Sequence, residues 1–92
     1  MALQILENKG TFYIQGKITC ANVQAMKLHV EYVLEKKKHV TIDITKVTKI
    51  DIDGVLTLTK MYRKALLSNR IFTIVGVGSK DMYDHFNSQN IA

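Results

Sequence analysis

The 92-residue chain is expected to fold as a single α/β domain, residues 1–92, around a mixed β-sheet. Three observations predict this. The first segment carries a hairpin signal. Stretches with two-residue apolar alternation then alternate with stretches of three- and four-residue spacing, which implies parallel strands joined by helices. Neither a proline nor a linker-like run interrupts the sequence. A length of 92 residues supports one core but no second lobe, and 47% hydrophobic against 23% charged residues is ordinary for a globular domain, so disorder is not indicated.

Leu3–Glu7 alternates apolar and polar residues, and Thr11–Gln15 is β-branched or aromatic at most positions. Asn8, Lys9 and Gly10 between them read as the turn of an antiparallel hairpin. Val23, Met26, Val30, Val33 and Leu34 then form one apolar stripe on a helix from about Ala21 to Lys37, with Thr19 or Asn22 as its cap. His29 falls in this helix without a second ligand three or four positions away, so it reads as a partly exposed or hydrogen-bonded side chain. His39–Ile44 alternates as a strand, whereas Thr45–Ile50 is apolar only at Val47 and Ile50, a spacing that suits a loop. Val55, Leu58, Tyr62, Ala65 and Leu66 mark a second helix that Asp53 is placed to cap. The run Ile71–Val77 suits a strand buried on both faces. Ser79 then caps a last helix with Met82, Tyr83, Phe86 and Ile91 inward.

Composition narrows the function classes. No apolar run approaches the roughly 20 residues of a membrane span, and the N-terminus lacks signal-peptide features, so a cytoplasmic protein without direct membrane insertion is expected. Cys20 is the one cysteine; without a disulfide partner in the chain it reads as a small, buried or half-buried residue in a reducing compartment. The formal charge of +5 comes from scattered cations apart from Lys36, Lys37 and Lys38, which suit the negative end of a helix dipole. With no interleaved aromatic residues and no helix-turn-helix pattern, nucleic-acid binding is not expected. Gly76, Val77 and Gly78 before Ser79 lack the longer spacing of a phosphate loop, and no metal or cofactor is expected.

The segment DIDGVLTL, Asp51–Leu58, bears on function most directly. Its Asp51, Asp53, Gly54 and Thr57 resemble the D-x-D-G-x-x-T motif of haloacid dehalogenase-like phosphatases, in which the first carboxylate is the nucleophile and the second a general acid. Such an enzyme needs its nucleophile directly at a strand end, a phosphate-neutralising lysine and further carboxylates for magnesium. Here a polar segment separates the expected strand end at Ile44 from Asp51, and the only acids after Asp53 are Asp81 and Asp84 near the end of the chain. No enzymatic activity is expected.

A second resemblance covers nearly the whole chain. FYIQGKITCANVQAM, with Gly16, Ile18, Thr19 and Asn22, is similar to the second strand and first helix of STAS domains, the anti-sigma factor antagonist family. VTIDITKVTKIDIDGVLTL, with Ile42, Asp43, Val47, Ile50, Asp51, Gly54, Val55 and Leu58, resembles that family's strand, linker and D-[ST]-[ST]-G-[LV] segment, and RIFTIVGVGSKDMYDHFNSQNI its following strand and helix. The resemblance implies a STAS-like sheet with helices mainly on one face. It also implies a non-enzymatic domain that docks on a protein partner, an anti-sigma factor with serine-kinase activity, through Asp51, Ile52, Asp53, Gly54 and Val55 together with Thr19 and Asn22. Phosphorylation of a hydroxyl in that segment releases such domains from their partner. This chain has Ile52 and Asp53 at the two hydroxyl positions, so no phosphosite is expected; Asp53 is either a helix cap or a fixed partial mimic of phosphate. Ile52, if it points outward, is a partner contact. Thr57 and Thr59, within a helix, are not expected to be phosphorylated. STAS domains also serve as subunits of membrane transport complexes for lipids or anions, a role that needs no hydroxyl there.

Overall fold

A computed structural model describes residues 3–78 together with Lys80, Met82 and Asp84. Strands β1 (Gln4–Asn8), β2 (Thr11–Ile18), β3 (His39–Ile50) and β4 (Ile71–Val75) lie side by side in chain order, with helix α1 (Val23–Lys37) between β2 and β3 and helix α2 (Ile52–Leu67) between β3 and β4. β1 pairs antiparallel with β2, and β2–β3 and β3–β4 are parallel. Both crossovers step across the sheet in the same direction, so right-handed connections place α1 and α2 on the same face. Phe12, Ile14 and Ile18 of β2, Val40 and Ile42 of β3 and Phe72 and Ile74 of β4 pack there against Val23, Met26 and Val30 of α1 and Leu58, Met61 and Ala65 of α2. His29 is exposed and meets the Phe12 ring edge-on, 5.2 Å between centroids.

Four expectations are corrected. Thr45–Ile50 is not a loop: β3 continues to Ile50. Its pairing with β2 shifts between Tyr13 and Gln15 and again between Gly16 and Lys17, each time placing an extra residue on β3. An extra residue breaks the two-residue alternation, which is why Val47 and Ile50 recur at spacing three in an extended chain. Asp43 Oδ1 accepts from Thr45 N at 2.9 Å beside the first irregularity, and the Thr48 hydroxyl donates to Gly16 O at 3.2 Å beside the second, where Gly16 takes φ 107°. The strand at 71 ends at Val75 and is not buried on both faces: Phe72 and Ile74 enter the core while Ile71 and Val75 stay exposed, since the helices cover only one side. The inward stripe of α2 runs through Leu58, Met61 and Ala65, with Val55 and Tyr62 at its margin, and Leu66 faces outward. Helix α1 starts at Val23, two residues later than expected.

Met82 is buried in the core and its N–H donates to Gly78 O at 3.3 Å. Ser79, Tyr83, Phe86 and Ile91, expected in the last helix, lie outside the described residues.

Candidate functional site

The candidate residues meet where the C-terminal ends of β2 and β3 approach the N-termini of α1 and α2. Parallel strands with helical crossovers generate this geometry: both loops leave the same end of the sheet, so residues 31 positions apart become neighbours. Asp51 joins them. Its N–H donates to Ile18 O at 3.0 Å, extending the β2–β3 ladder by one step, and its Oδ2 accepts from Cys20 N at 3.0 Å. Its Oδ1 accepts from Gly54 N at 2.9 Å. Asp51 is therefore the N-cap of α2, and the expectation that Asp53 caps the helix is corrected. Both carboxylates suit a start-of-helix pattern, but strand β3 runs on to Ile50 and leaves Asp51 in the extended conformation a cap requires, φ −89° and ψ 178°. Asp53 falls in the first turn, exposed, where its charge still meets the positive end of the dipole.

Asn22 closes the other loop. It occupies the N-cap position of α1, but its side chain turns back: Oδ1 accepts from Thr19 N at 2.9 Å and Nδ2 donates to Lys17 O at 2.9 Å. Thr19 O accepts from the N–H groups of Asn22 and Val23. The loop between β2 and α1 is thus tied at both ends, and its Cys20 N–H is held by Asp51.

Gly54 is buried against this junction. A Cβ there would lie 2.8 Å from Ile50 Cγ1, 2.9 Å from Ile18 Cγ2 and 3.1 Å from Ile18 O. Only a residue without a side chain lets the first turn of α2 settle onto both strand ends.

The exposed part of the site is small and mixed. Ile52 is 63% exposed, an apolar side chain next to the exposed Asp53 in the first turn of α2, while Cys20 is exposed and Val55 half-buried. The thiol was expected to be buried or half-buried; its exposure follows from its place at the loop tip, where its backbone and not its side chain is anchored. Thr57 and Thr59 are buried, and the Thr59 hydroxyl donates to Val55 O at 2.8 Å. Cys20 Sγ and carboxylate oxygens of Asp51 and Asp53 lie within 4.8 Å of one another, close enough to share a cation. Each Asp51 oxygen already accepts a backbone N–H.

The strand geometry also removes one sequence argument against phosphoryl transfer, because Asp51 does follow a strand directly. Each Asp51 oxygen accepts one backbone N–H, so this carboxylate clasps the two loops together. Sequence reasoning placed Ile18 and the Thr19–Asn22 loop near this segment but missed the main-chain contributions of Ile18 and Cys20 to the junction. The two residues contribute a main-chain carbonyl and a main-chain N–H, which any residue type provides, so no side-chain pattern marks them.

Comparison with known proteins agrees with this architecture. The model of the STAS domain family matches residues 1–87. Among solved structures, an anti-sigma factor antagonist from Mycobacterium paratuberculosis superposes with a TM-score of 0.65 at 17% identity, over 97% of this chain and 79% of that one. The Bacillus cell fate determinant SpoIIAA in its phosphorylated form gives 0.67 at 16% identity, over 98% of this chain and 85% of that one. Mglu gives 0.62 at 14% identity, with 77% of this chain matched to only 18% of that one. At these identities the likeness is one of fold. No curated protein sequence matches the chain. A match over residues 1–87 and a four-stranded mixed sheet shared with SpoIIAA lead to one assignment: the chain belongs to the STAS domain family.

Proposed function

We propose that this STAS domain, residues 1–92 as one unit, is a non-enzymatic docking module of the cytoplasm. Its contact face is formed by Asp51–Val55 with Thr19 and Asn22, and its partner is an anti-sigma factor with serine-kinase activity. The observation that carries the reading is Ile52, 63% exposed at the first turn of a helix and flanked by a carboxylate. A large apolar side chain held out from a tied backbone is a contact already paid for in conformational entropy. Of the fold relatives, one is named an anti-sigma factor antagonist and another is a cell fate determinant seen in a phosphorylated form.

In this reading the domain lacks the phosphorylation switch. Ile52 and Asp53 replace the hydroxyl residues, and Thr57 and Thr59 are buried. With Asp51 as the cap, the Asp53 carboxylate is left exposed and acts as a fixed negative charge in the contact face. It carries one charge where a phosphate carries roughly 1.5 to 2, so the mimicry is partial.

The test is an affinity pull-down from the native cytoplasm with wild type, Asp53→Ser and Asp53→Ala, with mass spectrometry of bait and partners. The expected result is one kinase-like partner enriched by both substitutions and phosphate on the serine variant. Recovery of a permease and ATPase pair, equally by all three baits and without phosphate, would replace this reading with that of a transport-complex subunit.

A further inference from the structure

At the opposite end of the sheet from Asp51, three separate segments bring cations together. Lys9 lies in the β1–β2 turn, Lys36, Lys37 and Lys38 end α1, and Arg70 precedes β4. Their main chains are in contact: Gly10 O accepts from Thr41 N at 2.9 Å, Lys38 O accepts from Ile71 N at 2.9 Å, and the Lys37 side chain reaches the position of a Gly10 Cβ to 3.6 Å. The acidic residues in the same turns are Glu7, whose carboxylate accepts from Gly10 N, and Glu35.

Complementing helix ends accounts for Lys36 and Lys37 and, through its guanidinium donating to Ser68 O at 3.1 Å at the end of α2, for Arg70, but not for Lys9. Nor does it account for the backbone. Lys9 and Lys38 have φ 53° and 62°, the left-handed conformation in which glycine is favoured. Both turns keep a lysine where glycine would be less strained. Beside the cations, Leu67 is 89% exposed at the end of α2, with Leu66 and Ile71 also exposed.

We propose that this basic pole is a docking surface for an anionic lipid bilayer. The exposed Lys9, Lys36, Lys37 and Lys38 would sit over the lipid headgroups, and Leu67 would enter the boundary between headgroups and acyl chains. Charge complementarity alone suits any acidic partner, but an exposed leucine pair at the end of α2, at the same end of the sheet as the lysines, gives with them the two signals that stable attachment to a bilayer surface needs. The occupant is a membrane surface and not a span, since no described helix is long and apolar enough to cross a membrane. The pole and the Asp51 site lie at opposite ends of β3, so one surface can be occupied while the other stays accessible.

The experiment is co-sedimentation with vesicles of phosphatidylglycerol and phosphatidylcholine, and with phosphatidylcholine alone, at low and at 0.5 M salt. Lys9→Gly/Lys38→Gly removes two charges while giving each turn its preferred residue. This variant is expected to keep or raise its thermal midpoint while its affinity for the anionic vesicles falls on the order of twenty-fold. Leu67→Ser is expected to weaken binding to the same vesicles several-fold. Wild-type protein that stays in the supernatant with anionic vesicles at low salt would overturn the proposal. So would a double glycine variant that binds as well as wild type. Binding unchanged by Leu67→Ser would leave only the charge attraction that any acidic surface exerts and overturn the lipid assignment.

Discussion

Asp51 acts through two oxygens with separate tasks, and substitutions can divide them. Asparagine keeps an oxygen for Gly54 N, so the cap survives, but its amide group then faces the Cys20 N–H donor to donor. Alanine loses both bonds. Asp51→Asn is expected to lower stability by about 1 kcal/mol and Asp51→Ala by about 2 kcal/mol. Amide exchange distinguishes the tasks: in the asparagine variant Cys20 N–H exchanges faster while Gly54 N–H stays protected. Equal protection at both amides would mean that the loop does not depend on this clasp. Asp51 stands out in the sequence as a candidate site residue, but its role as clasp does not. With carboxylates at both 51 and 53, the cap is decided by where β3 stops, and the residues at the junction contribute main-chain groups that carry no sequence signature.

At the scale of elements, periodicity located α1, α2 and the start of each strand, and failed where the chain departs from regular geometry. β3 reads as strand up to Ile44 and as loop thereafter because two extra residues shift its phase against β2. These irregularities carry the strand to Ile50 and set Asp51 at the helix start. Gly54 is the next point of precision. Alanine would add roughly 1 kcal/mol of helix propensity, but its Cβ would press on two isoleucine side chains and on the main-chain Ile18 O. The side chains can shift and the carbonyl, which accepts from Asp51 N, cannot do so without breaking that bond. Overpacking of this kind costs about 1–3 kcal/mol, so Gly54→Ala is expected to lose about 1 kcal/mol net in a urea melt and to perturb the amides of Asp51 and Cys20. A variant more stable than wild type would show that the α2 N-terminus has room to move away from the strands.

For the whole molecule, the decisive feature is that both described helices cover the same side of the sheet. The order of strands and helices, and with it the fold class, follows from the alternation of sequence periods. The one-sidedness of β4 does not, because Ile71 and Val75 are as apolar as the core residues Phe72 and Ile74 between them. In the same way, the run Lys36–Lys38 is visible in the sequence, whereas its meeting with Lys9 and Arg70 depends on which turns the sheet places at one end. One-sidedness makes a stability prediction. Ile42, on the central strand β3, is fully buried between β2 and β4 and faces the helices; Ile71, on the edge, is 58% exposed. Ile42→Ala removes packing that the surrounding core cannot refill and is expected to cost about 3–4 kcal/mol, a large fraction of the stability of a domain this small. Ile71→Ala removes contacts with little but solvent and is expected to cost within about 1 kcal/mol. Chemical denaturation of both variants measures the contrast. Comparable losses would mean that the face carrying Ile71 is covered in the folded protein, and the sheet would then be a buried middle layer and not an open one.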